Sequence, residues 1–231
     1  MIEPAAAVAA TVGVLAVFGV SMVGLDMLAR SGARWARPLV QRHAPTVYTA
    51  ILLAAAALFL VLGFVDPVAV VLPDAPAWLV PMLLAAPFVA VVWYLIELTV
   101  ASAQVRAGGL LTPTDARDVV SDIASSPGLW WVLAVCCALG EELIFRGMLQ
   151  TSVAEQWGQS AAIPLGAALF GLHHVSFGVP SMVSKSAGGA LMGVQTAMTG
   201  SIVPAVVAHL CFQGLVYRRE RRMSARRHHA A

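Results

Sequence analysis

The chain has 231 residues, 59% of them hydrophobic and 11% charged, with a formal net charge of +2. That composition excludes a soluble globular domain of this length and points to a bilayer. So small a net charge gives no reason to expect a nucleic-acid partner.

Apolar runs lie near 5–28, 48–72, 77–102, 129–150, 160–178, 182–199 and 201–217. Each is close to the ~20 residues an α-helix needs to cross a hydrocarbon core. The expected fold is therefore all-α: a polytopic transmembrane helical bundle of about seven spans plus a short interfacial helix, as a single integral membrane domain over 1–231.

In chain order, Met1-Ile2-Glu3-Pro4 puts no basic residue ahead of the first run, which reads as a retained span and not as a cleaved signal peptide. If the spans alternate with the C-terminus inside, then Arg30, Arg34, Arg37, Arg42, Arg106, Arg117, Lys185 and the six arginines from Arg218 to Arg227 are all cytoplasmic. The opposite side carries the Asp66-Pro67 and Pro73-Asp74 turns and no basic residue, as the positive-inside rule requires. The expected setting is a multi-pass protein of the cytoplasmic membrane, and only Arg146 is left without a loop.

Between the third and fourth runs, Thr112 as N-cap, Pro113 at the first helical position and Asp115 in the first turn start a helix too polar to cross. Val119, Val120 and Ile123 give it a narrow apolar face, so it is expected on the cytoplasmic surface. In the sixth run, Gly189 and Gly193 have the spacing that lets two helices approach closely. The basic tail, 218–231, is expected to be disordered or to lie against anionic lipid. Cys136, Cys137 and Cys211 are odd in number, lack metal-ligand spacing and lie in spans, so they read as small apolar fillers.

An ionisable group in a span costs a few kcal/mol or more on insertion scales of about +2.5–3.5 kcal/mol per charge, so each is a functional hypothesis. The fourth run supplies Glu141, Glu142 and Arg146; the fifth, His173 and His174; the last, His209 with Gln213 one turn on. Glu142 and Arg146 are i and i+4 on a helix and can pair, while Glu141 points about 100° away and can face a cavity. A rise of ~1.5 Å per residue puts Glu141, His174 and His209 at roughly 18, 21 and 12 Å into their spans, so all three can meet at mid-membrane.

Two hydrolytic chemistries suit such a group. Glu141 can act as general base on a water that attacks a carbonyl, or the carboxylate and both histidines can hold a zinc ion with an open water position. Imidazole or the Gln213 amide could stabilise the oxyanion. Structural readings stand beside these: an ion pair between Glu142 and Arg146, and histidines that merely bridge helices. A proton-coupled transporter also uses Glu and His at this depth, although no internal symmetry or broken helix supports one. Glu97 and Asp26 read as snorkelling or packing residues, Lys185 as a loop anchor, and His43, His228 and His229 as solvated.

Over about 125–217 the chain resembles the CAAX prenyl endopeptidase and bacteriocin-processing family of intramembrane proteases, also called CPBP or ABI. Its EExxxR motif reads Glu141-Glu142-Leu143-Ile144-Phe145-Arg146, and its FxxxH motif reads Phe170 to His174, selecting His174 over His173. Its third motif, His-xxx-Asn or Asp, reads His209 to Gln213. The resemblance implies Glu141 as water-activating residue, with Glu142 and Arg146 supporting it and His174 and His209 as partners. It leaves a zinc and a metal-free glutamate mechanism both open. Gln213 departs from the family pattern by one methylene, a shift that can weaken an oxyanion contact.

The substrate implied is a membrane-associated peptide or protein. The Ala- and Val-rich composition, with arginine exceeding lysine, suggests a high-GC bacterial genome, where a prenylated substrate would be unexpected. The rival from another class is a non-catalytic membrane scaffold or bacteriocin-immunity protein that keeps the fold, and Gln213 is the feature that favours it.

Overall fold

The computed structural model describes residues 4–30, 36–107 and 123–230, which are helical with no strand among them. Among the described residues eight helices follow in order: α1 (Pro4–Arg30), α2 (Ala36–Val61), α3 (Pro67–Val71), α4 (Pro76–Arg106), α5 (Pro127–Trp157), α6 (Gln159–His173), α7 (Val179–Thr199) and α8 (Val203–Ala230). The all-α membrane bundle expected from hydropathy is the fold observed. The interfacial helix expected from Thr112 onward lies outside the described residues.

Among the described residues, three helical stretches are long and apolar enough on their own to cross a bilayer: His43–Val61, Pro76–Arg106 and Pro127–Trp157. Helix α6, with 15 residues, rises only about 22 Å and packs between longer neighbours. Outward faces are apolar too: Val80, Leu84 and Phe88 on α4 are all more than 60% exposed. In water such a surface would be an aggregation patch; against lipid tails it is the expected one.

Two expected boundaries change. The second run, read as one span over 48–72, breaks after Val61 at a turn containing Gly63 at φ +70°. Asp66 then caps α3, its carboxylate accepting from the amides of Val68 and Ala69 at 2.8 and 3.2 Å, with Pro67 at the first helical position. The α3 segment folds back onto the bundle: the Val70 carbonyl accepts from Ile202 N–H at 2.9 Å and the Val71 carbonyl from the Ser201 hydroxyl at 2.7 Å. At the other end of the chain, α8 continues to Ala230, so the basic tail extends the last helix; arginine is a good helix former.

Small residues hold the site-bearing helices together. A β-carbon added at Gly188 of α7 would lie 2.2 Å from the Trp93 indole of α4, and one at Gly171 of α6 would lie 2.6 Å from the Met182 carbonyl. Glycine is the residue that admits these approaches. The core seam runs through Ala86, Ala90 and Trp93 of α4, Phe145 and Met148 of α5, and Ala205, Ala208 and Phe212 of α8.

Gly188→Ala must push the buried indole aside and should cost about 1–3 kcal/mol of stability. Gly128→Ala, whose added methyl meets open space, should be neutral or slightly stabilising. Thermal unfolding of the two variants in detergent checks the contrast.

Candidate active site

The polar centre is built on α5. That helix changes to π geometry over Leu143–Gln150, directly after the two glutamates. Insertions of this kind cluster at functional sites because they re-aim the side chains around them. The wider turn also leaves the Arg146 carbonyl to accept from the Thr151 hydroxyl five residues on, at 3.0 Å.

Arg146 is 2% exposed and Glu142 fully buried, with 3.1 Å between Arg146 Nη1 and Glu142 Oε2. Arg146 Nη2 donates to the Gly189 carbonyl of α7 at 3.0 Å, and its guanidinium lies 4.7 Å above the Phe170 ring of α6. One turn along, Gln150 Nε2 donates to the Gly193 carbonyl at 2.8 Å. The two glycines that suggested a close helix approach therefore expose the carbonyls that receive α5.

Glu142 has a second partner. Its Oε1 lies 2.9 Å from His209 Nδ1 of α8, so the carboxylate fixes that imidazole, with Nδ1–H donating and Nε2 left to face the interior. His209 Nε2 is 3.7 Å from Glu141 Oε2. The His209 ring is also boxed by aromatics, Trp93 at 5.4 Å and Phe170 at 6.1 Å between centroids, both edge-to-face.

Glu141, 2% exposed, meets His209 on one oxygen and another helix on the other. The Tyr48 hydroxyl of α2 donates to Glu141 Oε1 and lies 2.7 Å from His173 Nε2, which is itself 3.6 Å from Glu141 Oε1. All three histidines are close enough to act on the Glu141 carboxylate electrostatically. His174 reaches it at longer range: its Nδ1 bonds the Phe170 carbonyl at 2.9 Å, closing the C-terminal turn of α6.

Glu141, Glu142, Arg146, Phe170, His174 and His209 thus gather in one buried centre. Gln213 lies one turn from His209 on α8 and is partly exposed. His173, set aside by the FxxxH spacing, makes the direct contacts around Glu141. Tyr48 carries no sequence signal for the site, since a tyrosine near the expected start of a span is a common interfacial residue. The helix actually starts at Ala36, which carries Tyr48 three turns inside. No group of three or more His, Cys, Asp or Glu side chains among the described residues is arranged to hold a metal ion.

A second charged cluster closes the far end of the centre. Lys185, read from sequence as a loop anchor, sits within α7 with Nζ 3.6 Å from Glu97 of α4 and lies over the Trp93 and Phe212 rings at 4.8 and 4.1 Å. Glu97 also accepts from Arg219 of α8 at 3.0 Å. A lysine that reads as a loop residue is a helix-joining one, because α4 offers it a carboxylate and one π face and α8 a second π face. Cys137 faces the Thr49 hydroxyl at 3.1 Å, and all three thiols are free.

Comparison with curated proteins and with solved structures found no match. Residues 123–215 match the Rce1-like family, described as type II CAAX prenyl endopeptidase Rce1-like. The matched segment contains every motif residue from Glu141 to Gln213 and excludes Tyr48, Trp93 and Glu97. This match, over less than half of the chain, is what makes it similar to the CAAX prenyl endopeptidase and bacteriocin-processing family.

Proposed function

We propose that this protein is an intramembrane endopeptidase that hydrolyses a peptide bond of a membrane-associated peptide or protein with a water activated by Glu141. The observation that carries the reading is the 3.7 Å separation of Glu141 Oε2 and His209 Nε2 in a buried, lipid-surrounded centre. One water can hydrogen-bond both atoms at that spacing. Glu141 takes its proton as the oxygen attacks the carbonyl carbon. In its imidazolium form His209, with Nδ1–H held by Glu142, donates from Nε2–H to the oxyanion, and the proton held by Glu141 passes to the departing amine as the C–N bond breaks.

His174 and His173 border the same carboxylate, and Tyr48 fixes the oxygen that does not face His209. The basic end of the bundle, where Lys185 and Arg219 meet Glu97, is assigned to the cytoplasmic side of the cytoplasmic membrane by the positive-inside rule.

The test is cleavage of quenched membrane-tethered peptides by the full chain in lipid, with and without a zinc chelator. Glu141→Gln should lower cleavage by about 10²–10⁴-fold and leave the unfolding temperature unchanged. Cleavage that persists in Glu141→Gln rejects the reading, and peptide bound equally by both proteins but cut by neither favours the non-catalytic scaffold. Loss on chelation instead assigns Glu141 and the histidines to a metal.

Glu142→Gln should behave differently. It leaves Arg146 and His209 short of a charged partner, and thermal unfolding should show a loss on the order of 3 kcal/mol. Tyr48→Phe removes the hydroxyl that orients Glu141 and should lower kcat about 10-fold with little change in KM.

A further inference from the structure

Beyond the centre, α8 carries a charged surface that the proposed reaction does not use. A cleft of about 300 Å³ opens where α8 leaves the apolar part of the bundle, lined by Tyr94 of α4 and by Leu215, Arg218, Arg219, Arg222 and Met223 of α8. Arg219 is engaged: it pairs with Glu97 at 3.0 Å and Glu220 at 3.2 Å, and its guanidinium lies 5.9 Å from the Tyr94 ring centroid. Arg218 and Arg222 differ from it. Both are exposed, they lie i and i+4 on one helix face, and no carboxylate among the described residues pairs with either.

The two carboxylates near the cleft, Glu97 and Glu220, are thus both committed to Arg219, and Lys185 shares Glu97 as well. The cleft keeps an uncompensated positive charge. Its walls are of two kinds: Leu215 and Tyr94 lie on the bundle side, and the guanidinium groups follow within the next turn or two of α8. An occupant that satisfies both parts has an anionic head and an apolar body. Free phosphate has no body for the apolar wall, and a soluble acidic peptide would meet that wall at the lipid boundary.

We propose that this cleft binds the phosphate headgroup of an anionic phospholipid, with Arg218 and Arg222 as its principal ligands and the acyl chains lying along Tyr94 and Leu215. Guanidinium groups suit the role because their planar donors match phosphate oxygens in pairs. The site is distinct from the Glu141 centre, and its existence does not depend on the protease reading.

The experiment uses the full chain, delipidated in neutral detergent and titrated with phosphatidylglycerol or phosphatidylcholine while bound lipid is counted by native mass spectrometry. Phosphatidylglycerol should bind tighter than phosphatidylcholine, and Arg218→Gln and Arg222→Gln should each weaken it about five-fold. Arg221→Gln, an exposed charge on the same helix that does not line the cleft, should change it by about two-fold or less. Equal weakening by Arg221→Gln would reduce the effect to a diffuse basic tail, and equal binding of both lipids would remove the headgroup from the argument. Inorganic phosphate that displaces the lipid at comparable concentration would make the cleft a site for free anions. Each of these three results overturns the proposal.

Discussion

An arginine whose charge is sealed inside an apolar bundle must be surrounded by acceptors, and much of the site follows from how Arg146 meets that demand. Its guanidinium takes Glu142 from its own helix, the Gly189 carbonyl from α7 and the Phe170 π face from α6. Three helices are thereby fixed in register by one side chain. Removing either charged member would leave the other buried without compensation, so the pair constrains the structure more than it stabilises it.

Glu142 carries that constraint to the reacting groups. Because its second contact is His209 Nδ1, the orientation of the imidazole on α8 is set by a carboxylate that Arg146 holds still. Packing completes the restraint. Trp93 stacks on Phe212 at 3.7 Å and abuts His209 edge-on, and it can lie there only because Gly188 beside it has no side chain. Glu141 is then the member of the group whose carboxylate is met on one side by an imidazole and on the other by a tyrosine from a helix outside the matched segment.

The two ends of the bundle are built on different principles. At the end where α3 folds back, backbone carbonyls of Val70 and Val71 satisfy Ile202 and Ser201, and Val65 and Val70 pack within about 3.5 Å of where a Gly147 side chain would begin. At the other end, charge joins the helices: Glu97 bridges Lys185 and Arg219 across α4, α7 and α8. Backbone pairing suits a short returning segment with no charge to offer. Ion pairs suit helix ends near the lipid boundary, where lysine and arginine can reach both a carboxylate and water.

Composition and hydropathy by themselves determined the all-α membrane bundle, since runs of apolar residues in lipid have few other ways to satisfy their backbone. Spacing along one helix likewise pointed to the pairing of Glu142 with Arg146, which the structure holds at 3.1 Å. What tertiary structure alone decided were the contacts between distant segments. Tyr48 and His173 at Glu141, and Lys185 between Glu97 and two aromatic rings, join residues separated by up to 125 positions. Local spacing also could not foresee the π segment after Glu142, which changes the direction of every later side chain on α5. A period read along one helix says which residues share a face, and only the packing of the other helices says what that face meets.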